Sequence, residues 1–501
     1  MNRALRRVSL ICLVLFVALL VNVNWVQGFD ASSLANKPGN GRTVSATLQF
    51  QRGSIVTSDQ KIVAYSKMNK NFGEYQRRYP GGPIYAPVTG YDTLFSQTGV
   101  EGAENKELAG TDPALEVHNL IDLISGKRKK GATVTLTVNS AAQQAAYAAL
   151  KASGREGGVV ALNPQTGAII AMASYPSYNP ELLATLDGNK LIKNDNRLLK
   201  DPRHPLINNA LSTTFPPGST FKIVTSSTAF VTGKVANENT PVFAPTRLTL
   251  PGTSVQLIND DGSACNNGSN PSGTGKVPLI FAFTVSCNTV FGALGEKLSG
   301  SALQAEANKY SFNNPNLTVA PGMQVATSNL PLYTDPAQRA NGAVGQQSDT
   351  VTPLQEAMLS ATVANNGTLM KPYLVQKVTA PDLSTIQTTT SATLGTPLTT
   401  GQAQQLQAMM TSVVQSPEGT AHLTAGTQAT GGITIAGKTG TAQNGINNSG
   451  LDDAVFTCYA PTANPQIAVG VVVKGGGFGA DAAAPVAVKI IEAYLKSQGK
   501  A

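Results

Sequence analysis

The sequence predicts an α+β protein tethered by an N-terminal apolar helix, and three observations carry that expectation. Strand-like patterns stand early and late in the chain with helical patterns between them, as in a sheet closed by both chain ends. The 501 residues are 41% hydrophobic and 13% charged, with 48 Gly and 29 Pro, which argues against disorder or coiled coil. Such a length buries a large core and suits two or more domains. Arg3, Arg6 and Arg7 precede an uncharged stretch from Val8 to Phe29 whose apolar part runs to about Val26, roughly the 20 residues that cross a bilayer.

The exit of that stretch, Asn22-Val23-Asn24-Trp25-Val26-Gln27-Gly28, lacks a small-x-small cleavage site. An uncleaved anchor over 8–27 is therefore expected, with a removed signal peptide as the alternative. The arginines hold a tail of residues 1–7 in the cytoplasm, so the remainder lies outside, and Trp25 fits the far interface.

Residues 28–152 form a first extracytoplasmic region. Arg52 to Val56, the polar turn Ser58 to Lys61 and Ile62 to Tyr65 read as strand, turn, strand. Tyr75 to Tyr91, rich in Gly, Pro and Tyr, reads as an ordered loop, and Gly99 to Leu108 as a short helix. Thr133 to Val138 alternates as a strand, after which Asn139 caps a helix through Leu150. A second unit, 153–501, opens with a hairpin of Val159–Leu162 and Ala168–Met172 about Asn163-Pro164-Gln165-Thr166-Gly167. Helices dominate about 278–310 and 352–365. Strands return at Ile433–Thr441, Ala454–Tyr459 and Ile467–Val473, and Pro485 begins a terminal helix ending near Lys496.

The formal charge of +8, from 37 Lys+Arg against 29 Asp+Glu, suits an anionic polymer or lipid surface. No dense basic run with interleaved aromatics marks a nucleic-acid groove. The Lys127-Arg128-Lys129-Lys130 cluster reads as a solvated loop or as a contact for headgroups or an acidic polymer. His118, His204 and His422 are scattered without ligand spacing, so neither a zinc site nor any other cofactor is expected. Beyond Cys12 in the anchor stand Cys265, Cys287 and Cys458, too few for a disulfide framework. One Cys265–Cys287 bridge is conceivable in an oxidising compartment, and the sequence leaves it open.

Chemistry concentrates at Pro216-Pro217-Gly218-Ser219-Thr220-Phe221-Lys222. A helix opening here puts Ser219 and Lys222 on one face, so the amine can take the hydroxyl's proton. The helix N-terminus adds unpaired N–H groups and partial positive charge. Phe221, Val224 and Phe230 supply an apolar side that would partly bury Lys222 and lower its pKa toward the working range of a base. Ser-x-x-Lys alone is weak, since Ser58–Lys61 and Ser497–Lys500 also match.

Two further clusters give it company. Ser286-Cys287-Asn288 follows the apolar run Leu279 to Val285 and could present a hydroxyl and an amide, although Ser177–Asn179 and Ser311–Asn313 share the pattern. Lys438-Thr439-Gly440-Thr441 occurs once, on a predicted strand after Gly437. Glycines around a strand lysine let another backbone approach, and an edge strand can add an extended peptide whose terminal carboxylate meets Lys438 and the threonine hydroxyls. The bland reading is a surface hairpin with a solvated lysine.

These three motifs in this order resemble the signature of penicillin-binding proteins and serine β-lactamases. Phe215 to Lys222, Val344-Gly345-Gln346, Thr352-Pro353-Leu354-Gln355, Asn366-Gly367, Gly419-Thr420-Ala421 and Ala436 to Ala442 resemble the transpeptidase domain of class B penicillin-binding proteins. Arg52-Gly53-Ser54-Ile55 and Gly99 to Gly110 resemble the non-catalytic, pedestal-like first domain of that class. The short first domain is most similar to the actinobacterial penicillin-binding protein A group. The resemblance implies a penicillin-binding, β-lactamase-like transpeptidase fold with an elongated β-rich N-terminal domain.

It further implies Ser219 as acyl-accepting nucleophile, Lys222 as its base, and Ser286 and Asn288 as proton- and amide-positioning groups. Lys438, Thr439, Gly440 and Thr441 would bind the donor, with the N–H groups of Ser219 and Thr441 as oxyanion hole. The implied reaction cross-links peptidoglycan stem peptides from a D-Ala-D-Ala donor, β-lactam antibiotics being donor mimics. A membrane glycan polymerase of the SEDS type and other division or elongation proteins are the implied partners. The alternatives are a D,D-carboxypeptidase, a β-lactamase, separable by the lifetime of the penicilloyl adduct, or a catalytically minor scaffold. Two departures stand out. Cys287 fills the second motif, its side chain expected to point away, and Asp453 to Cys458 lacks the aromatic-Phe-x-Gly pattern common there.

Overall fold

The computed structural model describes all residues except 1, 31, 32, 35–47, 116–128, 261, 263, 266–274, 444–449 and 501. His118, Lys127 and Arg128 lie outside the described residues. Helix α1 (Asn2–Gly28) contains an exposed 24-residue segment, Leu5–Gly28, of mean hydropathy 2.4. At 1.5 Å per residue it is about 36 Å long, enough to cross a bilayer.

Strands β1 (Ile55–Val56), β2 (Ile62–Asn69), β3 (Glu74–Arg78) and β4 (Thr133–Leu136) precede helix α2 (Ser140–Ala152). The hairpin β5 (Gly157–Leu162) and β6 (Ile169–Tyr175) follows. Then come α3 (Lys222–Val231), α4 (Leu279–Thr284), α5 (Asn288–Lys297) and α6 (Pro353–Ala364). Strands β7 (Val375–Thr379) and β8 (Thr385–Thr388), helix α7 (Thr400–Gln415), strands β9 (Ala436–Ala442), β10 (Asp453–Ala460) and β11 (Ile467–Val473), and helix α8 (Ala484–Ser497) complete the frame.

The first sheet has the order β8-β7-β4-β1-β2-β3. Val134 pairs with Ile55 in parallel and with Val378 antiparallel, so strands from two distant stretches share it. These pairings cross the junction drawn at residue 152, and α2 packs against α8 and β6. The loop expected from Tyr75 instead begins as a strand: Tyr65 to Asn69 pairs residue for residue with Arg78 to Glu74. Its half-buried, polar Glu74–Arg78 lacks the apolar alternation that would announce a strand.

Beside this sheet, Glu101 is fully buried and accepts from Arg52 Nε at 2.7 Å, Arg77 Nε at 2.5 Å and Tyr79 OH at 3.1 Å. Burial alone would raise its carboxyl, but the two guanidiniums override that and hold it below the usual range. Arg52 of the quoted Arg-Gly-Ser-Ile segment thus ties strand to helix. Asn139 caps α2 as expected, its side chain accepting from the N–H groups of Ala141 and Ala142.

The second sheet, β9-β10-β11-β5-β6, is antiparallel throughout and joins strands from both ends of the second unit, as the sequence pattern predicts. Every residue of β11 and of α6 is buried, because α6 lies against the sheet and packs on α7 as well. A Cβ at Gly470 would stand 2.3 Å from Ala357 N, so glycine alone allows this approach. Burying α6's Leu and Met side chains contributes about 1.5–3 kcal/mol each, and β9 is left at the edge of this rigid layer.

Candidate active site

The chain reaches Ser219 along a pinned path. Phe215 and Val351 exchange backbone hydrogen bonds at 2.8 Å each way, and Gly218 N–H donates to Gly345 O at 3.1 Å. Gly218 has φ +55°, and a Cβ there would lie 2.6 Å from Thr441 O and 3.1 Å from Thr441 N. Pro217 O in turn lies 2.7 Å from where a Cβ of Gly440 would be. The glycines thus bring the serine turn and the Lys-Thr-Gly strand into backbone contact.

Ser219 does not open an α-helix as predicted. Gly218–Phe221 is a 3-10 turn, and α3 starts at Lys222. The left-handed Gly218 and the contact of Thr220 Oγ1 with Pro217 O at 2.8 Å tighten the chain here. The i, i+3 relation survives, since three residues make one 3-10 turn.

Lys222 is fully buried, more than its apolar face implied, and its Nζ donates to Ser286 O at 2.7 Å, Ser286 Oγ at 3.1 Å and Asn288 Oδ1 at 2.7 Å. Lys438 is also fully buried, which rules out the solvated hairpin, and donates to Ser286 Oγ at 2.9 Å and Thr439 O at 3.1 Å. Phe291 and Phe283 face the two amines at 5.4 and 5.5 Å from their ring centroids. Ser286, held between the amines on the α4–α5 junction, has φ +62°, a strained value for a non-glycine residue. Thr439 Oγ1 shares a hydrogen bond with Thr420 Oγ1 at 2.7 Å, and Thr441 is half-buried beside Gly218. Four candidates, Lys222, Ser286, Asn288 and Lys438, therefore form one hydrogen-bonded cluster next to the Ser219 turn.

Burial, and then the charge of Lys438, pushes Lys222 well below the usual lysine range, with Asp260 opposing. Burial likewise brings Lys438 down to about 7 against Asp260. On losing a proton the Lys222 amine could keep the two shorter bonds, to Ser286 O and Asn288 Oδ1, and would gain a lone pair for a hydroxyl proton.

Sequence reasoning missed several supports. Asp260, exposed after the Arg247–Thr249 and Gln256–Ile258 hairpin, accepts from Asn288 Nδ2 at 2.8 Å. Gln346 Nε2 donates to Thr441 O at 2.9 Å, giving the Val344-Gly345-Gln346 motif a physical role it lacked. Cys287 is bridged to Cys265, across 22 residues with Cα atoms 5.8 Å apart, which answers the open pairing and tethers the Asp260 loop to the second motif. Cys458 is a buried free thiol on β10, which runs in regular register with β9 and β11 despite its departure from the common pattern.

A serine on a tight turn, a buried amine pushed toward its neutral form, a hydroxyl bridging two lysines and a strand at the sheet edge are the parts of a serine acyl-transfer site on a penicillin-recognising fold. The chain belongs to the penicillin-binding protein transpeptidase family: residues 157–492 match the penicillin binding protein transpeptidase domain, and residues 52–134 the penicillin binding protein A dimerisation domain. It is 37% identical to the peptidoglycan D,D-transpeptidase PbpA of Mycolicibacterium smegmatis, covering 99% of both chains. It is 36% identical to PbpA of Mycobacterium tuberculosis, covering 99% of this chain and 100% of that one. Among solved structures it is similar to the ceftriaxone acyl-enzyme complex of M. tuberculosis penicillin-binding protein A, with a TM-score of 0.84, 34% identity, and 90% and 99% of the two chains covered. The imipenem acyl-enzyme complex of that protein gives 0.83, 35%, 90% and 100%.

Proposed function

We propose that the chain is a peptidoglycan D,D-transpeptidase working by serine acyl transfer, with Ser219 as nucleophile. The carrying observation is the buried Lys222–Ser286–Asn288–Lys438 cluster beside the Ser219 turn. Ser219 Oγ attacks the penultimate carbonyl of a D-Ala-D-Ala stem and Lys222 Nζ takes its proton. The N–H groups of Ser219 and Thr441 stabilise the oxyanion. The C–N bond breaks, the leaving D-Ala amine takes up a proton, and an ester remains on Ser219. The amine of a second stem then attacks that ester, forming the cross-link and restoring the hydroxyl. The donor lies along β9, its carboxylate toward Lys438, Thr439 and Thr441, with Gly440 leaving room for its backbone.

The same reading divides the chain into a cytoplasmic tail (1–7), an anchor (8–27), a non-catalytic first domain (28–152) and a transpeptidase domain (153–501). The arginines in the first two turns of α1 favour a plasma-membrane protein with its catalytic domain outside. A SEDS-type glycan polymerase is the proposed partner, met through the anchor and first domain.

The test is mass spectrometry of the full-length protein, in detergent, after reaction with benzylpenicillin. One adduct on the Ser219 peptide is expected, absent in Ser219→Ala; an adduct elsewhere overturns the assignment. A second expectation concerns Gly218. Gly218→Ala should slow acylation at least about tenfold, since displacing the turn from Thr441 misaligns nucleophile and oxyanion hole. Acylation at the wild-type rate would show that the close approach is dispensable.

A further inference from the structure

Glu356 lies in the first turn of α6, fully buried, directly behind the serine turn. Its Oε1 is 2.8 Å from Thr220 Oγ1, and Thr220 Oγ1 is also 2.8 Å from Pro217 O. A threonine hydroxyl has one proton, and a backbone carbonyl can only accept. Both contacts are hydrogen bonds only if Thr220 donates to Pro217 O while the carboxyl donates to Thr220. The other oxygen, Oε2, is buried with no hydrogen-bond partner among the described residues, a position far more tolerable for a neutral acid than for a carboxylate. On its backbone side, Glu356 O accepts from Thr457 Oγ1, and Thr457 is the cross-strand partner of Lys438.

We propose that Glu356 is a neutral carboxylic acid whose proton fixes the Pro217–Thr220 turn, making it a positioning residue for the nucleophile that also joins the turn to the Lys-Thr-Gly strand. The inference rests on the reading of Ser219 as nucleophile. Burial pushes this carboxyl up to about 8, the same direction as a hydrogen bond donated by the neutral acid. The elements packed on α6 (β5, β10, β11, α7, the Leu369–Met370 strand and the serine turn running into α3) carry Asp453, Cys458, Tyr459 and Lys222 as their titratable groups, and none of these contributes to the shift. The acid form therefore persists through neutral pH and is lost above about 8.

The experiment is carbon-13 NMR of the full-length protein in detergent with labelled glutamate carboxyls, the Glu356 signal being assigned by its loss in Glu356→Gln. A protonated carboxyl at pH 7 that ionises near 8 is expected; a carboxylate at pH 7 overturns the proposal. In parallel, Glu356→Gln, whose amide still donates to Thr220, should be acylated by benzylpenicillin within about twofold of wild type. Glu356→Met, which donates nothing, should be roughly tenfold slower with its melting temperature maintained. Equal rates for Met and Gln also overturn it. If Glu356→Met does not fold, the NMR titration and Thr220→Val, expected to be slowed like Met, decide. An unlabelled Ser219 would defeat the functional reading instead, while the Glu356 titration would still report on its own.

Discussion

Lys222→Met is expected to slow acylation of Ser219 by benzylpenicillin by a factor of roughly 100 to 10,000, the usual worth of a positioned general base. The methionine keeps the length of the side chain but provides no lone pair basic enough to accept the serine proton. The substitution also removes a buried amine that burial and Lys438 disfavour in its charged form, while leaving Ser286 O and Asn288 Oδ1 without its donated hydrogen bonds. Losing those bonds costs about 1–3 kcal/mol and relieving the desolvation offsets it, so the fold should persist. Rapid-quench labelling together with a melting curve separates the two effects. The pH profile supplies the sign: acylation needs the neutral amine, so the rate should rise with pH through the lowered pKa of Lys222 and level off well below the ordinary lysine range. A wild-type rate still climbing toward pH 10 would mean that Lys222 is an ordinary charged lysine and not the base.

Much of this site was legible because its parts are contiguous. Ser219 to Lys222, Ser286 to Asn288 and Lys438 to Thr441 each lie within one turn or strand, so local spacing already keeps them close. The terminal strands and the Val159–Met172 hairpin were legible through alternation and turn chemistry, and α2 through its Asn139 cap. The features that escaped depend on contacts far apart in sequence. Strand β7 joins the first sheet because Val378 meets Val134, a pairing no local pattern encodes. Asp260 reaches Asn288 only because a hairpin and the Cys265–Cys287 bridge fold it back. The 3-10 turn at Ser219 follows from Gly218 pressing on Thr441, which a helix-start signal does not contain. Glu356 reads on its own as a good helix former, and it is buried because the sheet, α7 and the serine turn pack against α6. Its meaning appears only once Thr220 is seen beside it.

Lys438→Met should separate binding from stability. In the proposed role the Lys438 ammonium meets the donor's terminal carboxylate, and losing it should lower the second-order acylation constant by roughly 30–100-fold at pH 7, about 2–3 kcal/mol for a charged hydrogen bond. Burial brings Lys438 down to about 7, so above that pH the incoming carboxylate must draw a proton onto it. The wild-type constant should therefore fall with pH above 7, at most about tenfold per unit, and the methionine variant should lose this component. Stability should move the other way. Because the unfolded lysine holds its proton up to about 10.5, the unfolded state binds more protons between 7 and 10.5, and wild-type stability rises with pH across that window. Lys438→Met escapes this burial cost and should melt at a higher temperature at pH 7 with a flatter pH dependence, the gain being no more than about 5 kcal/mol. Melting curves and acylation rates from pH 6 to 9 test both halves. A variant that melts lower than wild type at pH 7, yet binds β-lactam with the wild-type pH slope, would place the carboxylate elsewhere. The opposite signs on rate and stability are what a lysine buried for function, at a cost to folding, requires.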